Sequence, residues 1–154
     1  MVCPLTRFAC FSPQAAAVAR AVADDNAKAS AVFFSGTTCS FASYINGLFE
    51  PTEEKSSDGR VVYKKRENDN VIIEHYQGGQ WGEGGIWQIK HISNKGKNIV
   101  FAEVRGGCAL EACVDRVWGE KDLKMSTGAE AEAQASSLDA RARQHTAPTP
   151  LPLV

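Results

Sequence analysis

Residues 44–118, YINGLFEPTEEKSSDGRVVYKKRENDNVIIEHYQGGQWGEGGIWQIKHISNKGKNIVFAEVRGGCALEACVDRVW, decide the fold. Their apolar residues come in short bursts of Val, Ile, Phe, Tyr and Trp. Gly, Asn, Asp and Ser separate the bursts, which is the punctuation of antiparallel strands. Asp58-Gly59 is a strong turn signal before residues 60–66, where Val61 and Tyr63 share one face and Val62 and Lys64 the other. Residues 67–70 turn the chain into 71–76. The stretch 77–85, with Trp81 among glycines, leads to 86–92, where Trp87, Ile89 and His91 lie on one face. A turn at 93–98 precedes a strand at 99–104, a loop at 105–115 holds two cysteines, and 116–118 reads as a short last strand.

Upstream, residues 31–35 (AVFFS) form another β burst, and Asn46-Gly47 supplies the positive φ that a tight turn or bulge requires. The reading is a mainly β protein, an antiparallel meander of five to six short strands. Hairpin-length connections leave no room for the crossovers of a parallel sheet. Burying Trp81, Trp87, Trp118, Tyr63 and Phe101 together calls for a twisted sheet or a partly open barrel. Alanine-rich helical or disordered segments flank it. Residues 12–30 read as a helix with Ser12 as N-cap and Pro13 at the first helical position, its stripe of Val18, Val22, Ala15 and Ala19 shallow enough for a solvated lead-in. Residues 125–144 are helix-capable from about Thr127 but nearly without an anchoring face, and TAPTPLPLV is an extended tail. The expected organisation is a lead-in at 1–30, a β domain at 31–122 and a mobile tail at 123–154.

The chain has 154 residues with 17 basic and 18 acidic side chains and a net charge of −1, which gives no reason to expect nucleic acid as a partner. Lys64, Lys65 and Arg66 are interleaved with Glu50, Glu53, Glu54, Asp58, Glu67 and Asp69, the composition of a solvated mixed-charge surface. Without a run of about 18 apolar residues a membrane span is not expected. The first 23 residues make a poor signal peptide and only faintly resemble a transit peptide, so cytoplasmic is the default location. The five cysteines, Cys3, Cys10, Cys39, Cys108 and Cys113, show no zinc spacing. Free thiols are expected, except that Cys108 and Cys113 are close enough to close a small disulfide loop in an oxidising compartment.

Residues 46–52 (NGLFEPT), 59–65 (GRVVYKK), Trp87-Gln88-Ile89-Lys90, Lys95-Gly96-Lys97, the Cys108 to Cys113 loop and Trp118 together resemble a small repeat domain of about 80 residues seen in predicted proteins of unicellular algae and other protists. There the module stands singly or in tandem beside unrelated domains. The resemblance covers about residues 31–122. It implies a β module and carries no catalytic residue, since no activity is established for that family.

No catalytic constellation is expected. Glu74 and His75 are neighbours on a strand and point to opposite faces. His75, His91 and Glu103 are read as ordinary residues rather than metal ligands, and GGQWGEGG lacks the context of a phosphate-binding loop. No cofactor is expected. The first functional reading is a non-catalytic interaction or scaffolding module for a protein partner or neighbouring domain. The alternative is a glycan or small-ligand binding module using Trp81, Trp87 and Tyr76 with Glu74, Gln80 and Gln88.

Overall fold

Alternation of side chains across a pleated sheet governs the architecture. The computed structural model describes residues 13–78, 84–119 and 122–145. Its elements in chain order are α1 (Pro13–Ala27), β1 (Val32–Ser35), α2 (Ala42–Ile45), β2 (Gly47–Lys55), β3 (Val61–Lys65), β4 (Asn68–Tyr76), β5 (Ile86–His91), β6 (Ala102–Arg105), β7 (Lys124–Thr127) and α3 (Gly128–His145). Short 3₁₀ turns lie at Ile92–Asn94 and Leu110–Cys113. The strands form one sheet in the order β6-β5-β4-β3-β2-β1-β7, each neighbouring pair antiparallel. The sheet curls into a half-barrel.

The meander from β1 to β6 is the arrangement expected from the turn spacing, but the sheet has seven strands rather than five to six. The expected last strand at 116–118 is not one. That segment meets β6 through one backbone bond, Gly119 N–H to the Glu103 carbonyl (2.8 Å), and through Arg116 Nη1 on the Arg105 carbonyl (2.8 Å). It alternates for a single step, with Val117 91% exposed and Trp118 2% exposed, and Trp118 drops into the core edge-on to Phe34 with ring centroids 4.9 Å apart. β7 supplies the extra strand. Its register opposite β1 runs from Val32–Thr127 to Ser35–Lys124, so the sheet extends past residue 122. With only Met125 as a large apolar residue, β7 carries almost no sequence signal.

Other boundaries shifted for similar reasons. β2 continues through the polar residues 52–55, β4 begins within the turn expected at 67–70, and β6 starts at Ala102, leaving Ile99 57% exposed. Pairing to a neighbour sets the length of an edge or hairpin strand, and polar residues pair as readily as apolar ones.

The concave face holds the main core, in which Phe34, Phe49, Tyr63, Ile73, Trp87 and Trp118 are all buried. On the convex face Phe33 and Leu48 are covered by α3 through Ala131 and Ala135. Alanines at this contact let the helix approach the sheet closely, which is how a segment without large apolar residues docks. Further along the convex face Lys90 Nζ donates to Glu74 Oε1 at 2.8 Å and to the Lys97 carbonyl at 2.6 Å. The Gly96 N–H donates to the same carboxylate at 2.7 Å. Both charged groups are buried. Burial pulls the Lys90 ammonium down from its ordinary pKa, and the Glu74 carboxylate opposes that pull. A buried charge persists only when paired and hydrogen-bonded, and the connection between β5 and β6 provides those partners.

α1 has no buried residue, yet its end is tied down. Asn26 Nδ2 donates to the Gly59 carbonyl (2.8 Å), and Asn26 Oδ1 accepts from the Val61 N–H (2.9 Å). Among the described residues no helix is long and apolar enough to cross a membrane.

A chain ended at residue 122 loses β7 and α3, unpairs one side of β1 and uncovers Phe33 and Leu48. At about 1.5–3 kcal/mol per buried side chain, the expected loss is roughly 3–6 kcal/mol. Urea unfolding against the full chain measures it; an unchanged midpoint would show that these elements add nothing to the sheet.

Candidate functional site

The concave face carries side chains with hydrogen-bonding groups that the strand pattern alone leaves without partners, and one loop receives them. The loop is residues 106–113. His75 Nε2 stands 3.0 Å from the carbonyls of both Gly84 and Gly106. Arg60 Nη2 donates to the Gly107 carbonyl. Trp87 Nε1 donates to the Cys108 carbonyl at 3.0 Å, and the Tyr63 hydroxyl donates to Glu111 Oε1 at 2.8 Å, which also accepts from the Ser30 N–H at 2.8 Å.

Two pairs of glycines make this approach possible. A Cβ on Gly107 would lie 2.9 Å from the Gly84 Cα, and one on Gly85 would lie 2.6 Å from the His75 Cε1. Gly85 also has φ +66°, the left-handed region that side chains disfavour. The glycines therefore serve close packing of two backbones over the histidine.

Beneath the loop is a charge cluster. His75 Nδ1 lies 2.5 Å from Asp58 Oδ2, Asp58 Oδ1 accepts from the Ser56 hydroxyl at 2.5 Å, and Arg60 pairs with Asp25 (3.0 Å) and Asp58 (3.4 Å). Burial pushes the Asp58 carboxyl up. The hydrogen bonds from His75 and Ser56, with the positive charges of His75 and Arg60, outweigh burial and hold it below the ordinary carboxylate value. A histidine beside an aspartate has the look of an acid/base pair, but here the histidine is closed off from solvent. A ring nitrogen facing a carbonyl must carry a hydrogen, so Nε2 is a donor with no lone pair to offer a substrate. His75 is 1% exposed; the cavity lined by Arg60, Tyr63, Trp87 and Leu110 is about 10 Å³, barely one water, and the open groove of about 690 Å³ between α1 and residues 58–59 touches Asp58 but not His75.

The residues nominated from sequence for a ligand face are divided by the pleat. Trp87 is on the concave side, 2% exposed, with His75 edge-on at 5.0 Å. Glu74 and Gln88 oppose one another on the convex side and are buried, Gln88 donating to Asn98 Oδ1 at 2.7 Å. Tyr76 is half-buried there, with the Lys90 ammonium 5.3 Å from its ring centre. Gln80 and Trp81 lie outside the described residues, as do Cys3 and Cys10. Cys108 and Cys113 are thiols with their sulfurs 3.7 Å apart, no disulfide having formed between them. Burial pushes the Cys113 thiol up to about 12. His91 pairs with Val71, four residues from His75, and bonds Ser93, so the two histidines do not converge. Among the described residues no group of three His, Cys, Asp or Glu is placed to hold a metal ion.

Sequence reasoning did not find the feature that is exposed. Phe41 (44% exposed) and Tyr44 (36% exposed) lie over Phe101, with ring centroids 5.3 and 4.8 Å away and the Tyr44 ring nearly parallel to Phe101 (18°). Phe101 packs against the main core at its inner side. The single turn α2 aims the outer rings: Ile45 is fully buried, which turns its neighbour Tyr44 outward. Lys65, itself buried, donates to the Ser43 carbonyl at 2.5 Å and to the Asn46 carbonyl, and Asn46 Nδ2 holds the Thr37 carbonyl at 2.9 Å. A buried cation on the last carbonyls of so short a helix keeps it in place.

Compared with protein-family models, with curated proteins and with solved structures, the chain finds no match.

Asp58 is held below the unfolded carboxylate value of about 3.9, so its contribution is complete above that pH and is lost as pH falls through the lower folded value. Asp58→Asn removes a carboxylate from between His75 and Arg60, with an expected cost of about 3 kcal/mol at neutral pH. It should also flatten the decline in stability below about pH 4. Urea midpoints of both proteins across this range check the two effects.

Proposed function

We propose that this protein is a non-catalytic interaction module that docks a partner protein, or a neighbouring domain, through the aromatic patch of Phe41, Tyr44 and Phe101, with the exposed Ile99 two residues before Phe101 in the chain. One observation carries this reading: Phe41 and Tyr44, both exposed, each lay a ring on Phe101, and the turn that carries them is anchored by a buried lysine. Exposed apolar groups that cluster on a rigid support are the usual footing of a protein contact, and tyrosine anchors rank among the strongest contributors. The partner chemistry that fits is an apolar or aromatic side chain laid against Tyr44. The sealed state of His75 supports the non-catalytic part of the reading. Membership of residues 31–122 in a small repeat module, as the sequence resemblance implies, agrees with a role as one interaction unit.

Carbohydrate binding is the second reading, and the near-parallel Tyr44–Phe101 pair is what favours it. A sugar ring stacks on an exposed aromatic face, and Tyr44 offers one where Trp87 does not.

The test uses the full chain with a photo-reactive phenylalanine analogue at position 44 and, for comparison, at Val18 on the exposed face of α1. Cross-links to one protein from position 44, lost when Phe41→Ser and Ile99→Ser are added, are expected. Ile99→Ser, at a largely exposed position, should alter stability by no more than about 0.5 kcal/mol, and Phe41→Ser, which gives up a partly buried ring, by about 1 kcal/mol, so the variant's fold is checked by urea unfolding. Cross-links that persist in the variant, or that arise equally from position 18, would overturn the patch as the docking surface. A change in Tyr44-dependent glycan binding across a glycan panel would establish the second reading instead.

A further inference from the structure

Loop 106–113 is built as the acceptor for the buried donors of the concave face, and it also holds two thiols. The Cys108 and Cys113 sulfurs are 3.7 Å apart, and a disulfide requires about 2.05 Å, so an approach of less than 2 Å closes the bond. Cys113 ends the 3₁₀ turn Leu110–Cys113, is fully buried and has its sulfur 3.7 Å from the Ala109 carbonyl. Cys108 is only partly buried, its side chain packed against the edge of the core. A Cβ on Gly106 would lie 3.4 Å from both sulfurs and 3.3 Å from Arg116 Nη1, so the guanidinium stands close beside the pair. Arg105 and Arg116 are both exposed at this mouth. A guanidinium beside the pair draws in an anionic reactant.

We propose that Cys108 and Cys113 are a dithiol modification site that reacts with a small anionic disulfide of the glutathione type, and that the bond they form reshapes the lid over His75, Arg60 and Trp87. The Cys108 thiolate attacks one sulfur of the small disulfide and expels one thiolate, leaving a mixed disulfide. Cys113 then gives up its proton and attacks the Cys108 sulfur, expelling the second thiolate. Two protein thiols and one small disulfide become one protein disulfide and two small thiols, so two electrons pass to the small molecule. The order follows from exposure, because buried Cys113 meets no reagent until Cys108 presents its sulfur. The consequence follows from connectivity. Cys108 holds the Trp87 indole through its own carbonyl, and the carbonyls of the two residues before it hold His75 and Arg60. Drawing Cys108 toward Cys113 therefore displaces an acceptor on which the concave face relies.

The full chain is equilibrated with glutathione buffers from fully reduced to fully oxidised, quenched in acid, alkylated and cut with trypsin. Peptide 106–116, GGCALEACVDR, contains both sulfurs. It is expected to change from doubly alkylated to unalkylated and lighter by two hydrogens, and to revert with excess thiol. In Cys113→Ser and Cys113→Ala, either of which keeps the test open should the other fail to fold, the reaction should stop at a glutathione adduct on Cys108. The indole N–H resonance of Trp87, assigned with Trp87→Phe, should move on oxidation of the unaltered chain and return on reduction. A peptide that stays doubly alkylated at every ratio, or that accumulates only the adduct in the unaltered chain, would overturn the site. Disulfide formation that leaves the Trp87 resonance unmoved would overturn its link to the lid.

Discussion

Hydrogen-bonding groups that a curled sheet turns inward need partners once the concave side is closed to water, and here one loop supplies them to Arg60, Tyr63, His75 and Trp87, while among the described residues the Trp118 indole N–H is left without one. Leaving a buried donor without a partner costs about 1–3 kcal/mol, more if it is charged. Donors from β3, β4, β5 and the residue that precedes β3 reach across the half-barrel to the 106–113 loop. Small side chains at Gly84, Gly85 and Gly107 let the backbones come near enough. The half-barrel thus gains a lid whose contacts are largely polar, with Leu110, Cys113 and Trp118 completing the apolar core beneath it.

The same requirement governs the convex side by other means. There α3 covers an apolar corner, and the connection between β5 and β6 folds back over Lys90, Glu74 and Gln88. Both sheet faces are largely occupied by the chain itself. Among the described residues, those that would present a ligand face on an open sheet are largely spent on internal bonds, and accessible aromatic surface lies at α2 and Phe101, outside the strand pattern.

How far this was legible depends on the kind of signal. Turn-bounded apolar bursts at 61–65, 71–76 and 86–91 placed three central strands, and Tyr63 and Trp87 were among the residues expected in the core. Trp87 illustrates the limit, since a large amphipathic ring reads equally as core filler or ligand platform, and only the covering loop distinguishes them. The role of the glycines at 84, 85, 106 and 107 was not legible, because sequence shows a missing side chain without showing what approaches. Phe41 and Tyr44 left no pattern at all, their exposure being set by the burial of Ile45 and the grip of Lys65.

Sequence alone determined that the chain alternates, turns often, and must fold as an antiparallel meander with apolar residues on a shared face. Tertiary structure decided that β7 completes the sheet, that α3 docks through two alanines, that Asp58, Arg60 and His75 meet, and that Cys108 lies beside Cys113. The difference has a physical basis. Side-chain periodicity is written in residue identity, whereas backbone carbonyls are the same at every position and become specific acceptors only where the fold brings a donor to them.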